Sequence, residues 1–234
     1  EIINSSYVRI TAANTTNRGS GSHGIQATGN LTVDSVDMMK IEADRMGMRV
    51  GGRINPNVDD WSITDAEGYV HLIDSHVEIA ASRAGIRSTG TIWTFQSTLD
   101  VYGLENNATE AQLFDLVEPI WPDGIPEFGL YASKGDIIIE RSDVDVTAHS
   151  YGLVTGLVCE SNYEGKAGGD IILNQSSVKV QVDPEWGLAA IFAGDNLEPE
   201  DEGHAQIMII KSFISVPDEA TIVDVSIVTE IAIE

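Results

Sequence analysis

Cysteine is almost missing from this chain of 234 residues. Cys159 stands alone, so no internal disulfide can form. That excludes a disulfide-built scaffold but leaves export open, because a chain of this size can fold without cystines. Basic residues are also scarce, 13 against 37 acidic ones, for a formal charge of −24. A surface so negative repels DNA, RNA and anionic membranes, so no nucleic-acid partner is expected. No run approaches the ~20 apolar residues of a membrane-spanning helix, and no membrane insertion is expected. Hydrophobic residues nonetheless make up 42% of the chain, which excludes a disordered acidic tail.

Several chemical signatures are missing as well. There is no His-Glu-x-x-His, no histidine triad and no Cys/His cluster. His23, His71, His76, His149 and His204 are scattered along the chain. The glycines at Gly165–Gly169 lack a following Lys-Ser/Thr, so they read as turns and not as a phosphate cradle. Cys159 has no clear histidine partner and reads as an incidental thiol.

What the chain does have is a repeat. Seven times it runs Ser-x-aliphatic-x-aliphatic, starting at Ser6, Asp37 (in place of Ser), Ser75, Ser97, Ser142, Ser176 and Ser212. Five copies carry a mostly apolar pair five and three residues upstream: Val70/Leu72, Ile92/Thr94, Ile137/Ile139, Ile171/Leu173 and Ile207/Ile209. Before the Asp37 copy the pair is Leu31/Val33, displaced by one residue. A third element, glycine followed by an apolar residue, opens most units at Gly24, Gly47, Gly85, Gly129, Gly152 and Gly187.

Each unit therefore offers three short strands: A (the glycine element), B (the apolar pair) and C (the Ser element). Apolar and polar residues alternate, so each strand buries one face. Three strands joined by tight turns make one coil, and stacked coils pair like strand with like. The expected fold is all-β: a single-stranded, right-handed parallel β-helix of about seven coils, the handedness following the rule for parallel crossovers. Val8, Met39, Val77, Leu99, Val144, Val178 and Ile214 are expected as one inward ladder, and the corner serines as hydrogen-bond partners of turn backbone.

Residues 1–234 read as one β-helix domain, trimmed from a longer protein, since Glu1-Ile2-Ile3 already falls inside the repeat. Insertions gather at two corners. The largest, 104–127, carries the capping-box sequence Thr109-Glu-Ala-Gln112 and is expected to hold a short helix. The segment 217–234 is expected to cap the last coil or to connect onward.

Outward positions on strand B read Ile2, Thr32, His71, Trp93, Ile138, Ile172 and Met208, with Ile73, Phe95 and Ile210 in the next row. This apolar, aromatic surface marks an interface, a sugar-binding face or a patch beneath an insertion. Outward positions on strand A read Gln26, Arg49, Arg87, Tyr131, Val154 and Ala189. Adjacent arginines repel across a sheet, so they await protein carboxylates or an acidic ligand. Candidate ligand-binding residues are thus Trp93, Phe95, His71, Arg49, Arg87 and Tyr131, with Trp61 and Trp121 from the insertions. Asp195, Glu198, Glu200 and Asp201 in an acidic loop are candidate calcium ligands, though without the spacing of a known calcium loop. No cofactor is required and no catalytic residue is nominated.

The unit, in His23-Gly-Ile-Gln-Ala-Thr-Gly-Asn-Leu31 and again from Phe128-Gly-Leu-Tyr-Ala132 to Val146, resembles the repeat of right-handed parallel β-helix proteins from bacterial surfaces. It is most similar to their carbohydrate-binding, adhesin-like group. That resemblance implies a secreted or cell-surface bacterial module that binds acidic polysaccharide, with calcium, or a host or cell-surface protein. Oligomers through the strand B stripe or the solenoid ends fit the same picture. Polysaccharide lyases and polygalacturonases share the fold, but their clustered signatures have no match here beyond the lone Asp59-Asp60. An enzyme of that kind, and a structural stalk, are the alternatives.

Overall fold

The computed structural model describes residues 1–12, 22–51, 67–103, 126–156, 169–184, 187–193, 205–216, 222–223 and 227–228. Among the described residues all regular elements are β-strands, 22 of them, in three wholly parallel sheets. The B sheet has eight strands, and the C and A sheets seven each. One coil runs from the A strand Ala84–Ser88 to the B strand Ile92–Phe95 and the C strand Thr98–Gly103. Each strand pairs with its counterpart one coil earlier and later, so the chain is a parallel β-helix. The expected helix in 104–127 and the insertion corners lie largely outside the described residues. Ile222–Val223 and Ile227–Val228 each add a strand to the A and B sheets.

The core is built from ladders. On the C sheet Val8, Met39, Val77, Leu99, Val144, Val178 and Ile214 stack in register, as the repeat requires. The next inward ladder, Ile10, Ile41, Ile79, Val101, Val146 and Val180, explains the glycines of strand A. A Cβ on Gly24, Gly47, Gly85, Gly129 or Gly152 would run into Ile41, Ile79, Val101, Val146 or Val180 respectively. Glycine is needed because a branched side chain from strand C fills that space.

The corner between B and C is held by a serine ladder. The amide of Val36 donates to Ser75 Oγ, Ser75 to Ser97, Ser97 to Ser142, Ser142 to Ser176 and Ser176 to Ser212, all at 3.1–3.2 Å. Each hydroxyl in turn donates to the carbonyl two residues back, as from Ser75 to Ile73 and Ser142 to Glu140. The residue just before each ladder position is left-handed: Asn4, Ser35, Asp74, Gln96, Arg141, Gln175 and Lys211, with φ between 45 and 54°. Such a conformation costs a non-glycine residue roughly 1 kcal/mol. It is offset because the same residue's amide bonds to the next coil, as Gln96 does to the Glu140 carbonyl at 3.1 Å.

Three expectations of register need correction. The ladder position in the first two coils belongs to Ser5 and Val36, not to Ser6 and Asp37, because Ser5 pairs with Val36 and the Val36 amide meets Ser75. Those coils hold one extra residue at the corner, which accounts for the displaced Leu31/Val33 pair. Ile2 pairs with Val33 and packs on the core, so it faces inward and not outward. In the sixth A strand, Ala189–Ala193, the unit begins at Ala190 and not at Gly187, and Phe192 rather than Ala189 follows Val154 in the outward row. A small residue of either type satisfies the glycine position near the end of the stack, so composition alone misassigned it.

Candidate functional site

The outer B face carries a file of rings. Tyr69, just ahead of its strand, stacks on His71 with centroids 4.2 Å apart. His71 meets Trp93 edge-on at 5.1 Å, and Trp93 leans on Phe95 at 5.7 Å. The sheet dictates this order: His71 and Trp93 pair across adjacent coils, and Phe95 stands two residues beyond Trp93 on the same face. The Arg141 guanidinium lies over Phe95, 5.9 Å from its centre. Ile138, Ile172 and Met208 continue the Trp93 row in register. All of these rings are partly exposed, Tyr69 most of all at 37%.

Polar groups border the file. Trp93 Nε1 donates to Glu140 Oε2 at 2.9 Å, and Asn174 Nδ2 donates to Glu140 Oε1 at 3.3 Å. Glu140 pairs with Phe95 in the sheet, so one carboxylate fixes the indole and ends the aromatic row. Arg141 Nε donates to Gln175 Oε1 at 3.2 Å, which holds the guanidinium near the rings. Partial burial pushes the His71 imidazole below its ordinary pKa, so the ring stays neutral near pH 7.

The outer A face is different in kind. Gln26, Arg49, Arg87, Tyr131 and Val154 do stack in register, with Arg49 beside Arg87. Tyr131, however, is only 7% exposed, and Val154 is fully buried. They form a second apolar cluster with Met46, Ala84 and Phe128, in which Phe128 stacks on Tyr131 at 5.3 Å and on Tyr151 at 5.8 Å. Arg87 lies over the Tyr131 ring at 5.5 Å. Arg45 and Arg83 join Arg49 and Arg87, and none of the four guanidinium groups is without a partner. Burial and the other three arginines bring Arg45 down to about 10. Burial, reinforced by the same four cations, brings His23 down to about 4.

The structure thus brings His71, Trp93 and Phe95 together on one face and Arg49, Arg87 and Tyr131 on another. Trp61, Trp121, Asp195, Glu198, Glu200 and Asp201 lie outside the described residues. Sequence reasoning missed Tyr69, Glu140, Asn174 and Arg141 on the B face. Tyr69 precedes its strand, and the other three lie at or beyond the end of the apolar pair. It also missed a grouping on the C face, where His76, Glu78 and Asp100 converge. The serine spacing could have found that one, since it sets Asp100 opposite Glu78.

No protein-family model, curated protein or solved structure matches the chain.

Proposed function

We propose that this β-helix is a carbohydrate-binding module of a secreted or cell-surface protein. The observation that carries the reading is the file Tyr69–His71–Trp93–Phe95 on the outside of the B sheet. Sugar rings present apolar C–H faces that sit flat on aromatic rings, while their hydroxyls need polar groups at the edge. Glu140, Asn174 and Arg141 supply such an edge. A rod of parallel coils also suits a polymer, because its rows repeat at about 4.8 Å per coil along one face. Acidic polysaccharide is the class we favour. Arg141 and Lys211 stand two coils apart in the same exposed corner row, where a guanidinium and an ammonium could meet uronate carboxylates. The binding is read as non-catalytic and as compatible with calcium, which would bridge uronates to a protein of charge −24.

A glycan array probed with the full chain, with and without calcium, tests this. Binding to a polyuronate or another plant-type polysaccharide is expected, with a loss of about two- to tenfold in Trp93→Ala, since one ring contact contributes about 0.5–1.5 kcal/mol. No glycan signal under either condition, or full binding by Trp93→Ala, would overturn it. Release of unsaturated products from polygalacturonate would instead favour a lyase on the same fold.

A further inference from the structure

We propose that His76, Glu78 and Asp100 form a binding site for a divalent transition-metal ion that clamps two adjacent coils through the outer face of the C sheet. His76 and Glu78 are two residues apart on one strand, and therefore share a face. Asp100 lies directly opposite Glu78 in the next coil, and Thr98 lies opposite His76. His76 Nε2 stands 3.5 Å from Asp100 Oδ2 and 3.7 Å from Glu78 Oε1. One donor atom from each residue lies within 4.8 Å of the other two.

Those separations are longer than the about 2.7–3.2 Å of an ordinary N–H···O hydrogen bond. Indeed His76 Nε2 is buried from solvent and has no hydrogen-bond partner. They come close to the edge of a coordination polyhedron. Around a tetrahedral zinc ion with bonds of about 2.0–2.2 Å, neighbouring ligand atoms stand about 3.3–3.6 Å apart. The two separations from the buried, unpartnered nitrogen, 3.5 and 3.7 Å, are close to that edge, and the third lies within 4.8 Å.

The charges around the group point the same way. Glu78, Asp100 and Asp145 follow one another across three strands, and like charges side by side in a sheet are destabilising. The two outer carboxylates are held by lysines: Lys40 Nζ bonds Glu78 Oε2 at 2.6 Å, and Lys179 Nζ bonds Asp145 Oδ2 at 2.7 Å. Lys40 takes one oxygen of Glu78 and leaves Oε1 turned to His76. The central Asp100 has no basic partner among the described residues except His76. A cation seated between the three would relieve the repulsion. One imidazole with two carboxylates selects zinc or its first-row neighbours over magnesium and calcium, which prefer all-oxygen sites. This inference concerns the C sheet and does not rest on the sugar reading of the B sheet.

The test is calorimetric titration of the metal-stripped full chain with zinc chloride. One saturable equivalent is expected, undisturbed by excess magnesium or calcium and weakened at least about tenfold in His76→Ala. Weak, non-saturating heat, or an isotherm unchanged in His76→Ala, would overturn the site. Should that variant fail to fold, histidine nitrogen NMR of the unaltered chain decides. Zinc should move the ring resonances of one of the five histidines, lost in Asp100→Asn, and no histidine shift would refute the proposal.

Discussion

The amide of Ser75 donates to the hydroxyl of Ser97 one coil away, at 3.1 Å, and the Ser97 hydroxyl donates to the Phe95 carbonyl at 2.9 Å. One side chain thus satisfies a backbone donor and a backbone acceptor at a buried corner, and the arrangement recurs up the rod. The serines are structural because the corner amides have nowhere else to donate.

Ser97→Ala is therefore expected to leave the Ser75 amide unpaired, while the Phe95 carbonyl keeps its bond from the Asp74 amide. The loss should be about 1–3 kcal/mol, read as a lower denaturant midpoint at unchanged slope. A change near zero would mean that water takes over the amide.

Thr94 predicts the opposite sign. It is fully buried in the ladder between Leu72 and Ile139, and its Oγ1 has no hydrogen-bond partner among the described residues. Thr94→Val removes the stranded hydroxyl and keeps the branched shape. The chain should gain about 1–2 kcal/mol, measured by chemical denaturation.

Gly85 faces Val101 across the core. Gly85→Ala should cost about 1–3 kcal/mol from overpacking. Combining it with Val101→Ala should cost less than the two separately, since the smaller side chain vacates the space. Strict additivity in that cycle would argue that the nearby Gly129 carbonyl, and not Val101, sets the limit.

His23 supplies the pH dependence. Its folded pKa, about 4, lies below the ordinary 6.5, so the folded chain refuses a proton that the unfolded chain accepts. Its contribution is fully present above pH 6.5, falls as pH drops from 6.5 towards 4, and levels off below that. Allowing for partial exposure of the ring, the unaltered chain should lose about 1–2 kcal/mol more than His23→Gln between pH 7 and pH 4.5. Parallel stability profiles for the two would contradict this.

Much of the fold could be read before the structure was seen. Alternation of apolar residues, with serine and glycine at steady offsets, implies coils whose strands pair with their counterparts. Ladder members such as Val77, Leu99 and Val144 are in register as the spacing demands. The errors occurred where the repeat is physically permissive. An extra corner residue at Asp37 costs little because it is exposed. The left-handed corners carry Gln96, Arg141 and Lys211, which give no sequence signal of that conformation, because bonds between coils enforce it.

The sequence by itself therefore determined the solenoid, its inward ladders and its aromatic B row, since stacking in register turns one-dimensional spacing into contact. Only the tertiary structure decided the rest. Glu140 locks Trp93 across 47 positions of sequence, four arginines converge on His23, and His76 meets Glu78 and Asp100. Those groupings depend on side-chain rotamers and on neighbours one coil away. Outward positions tolerate many residue types, so no periodic pattern records which of them meet.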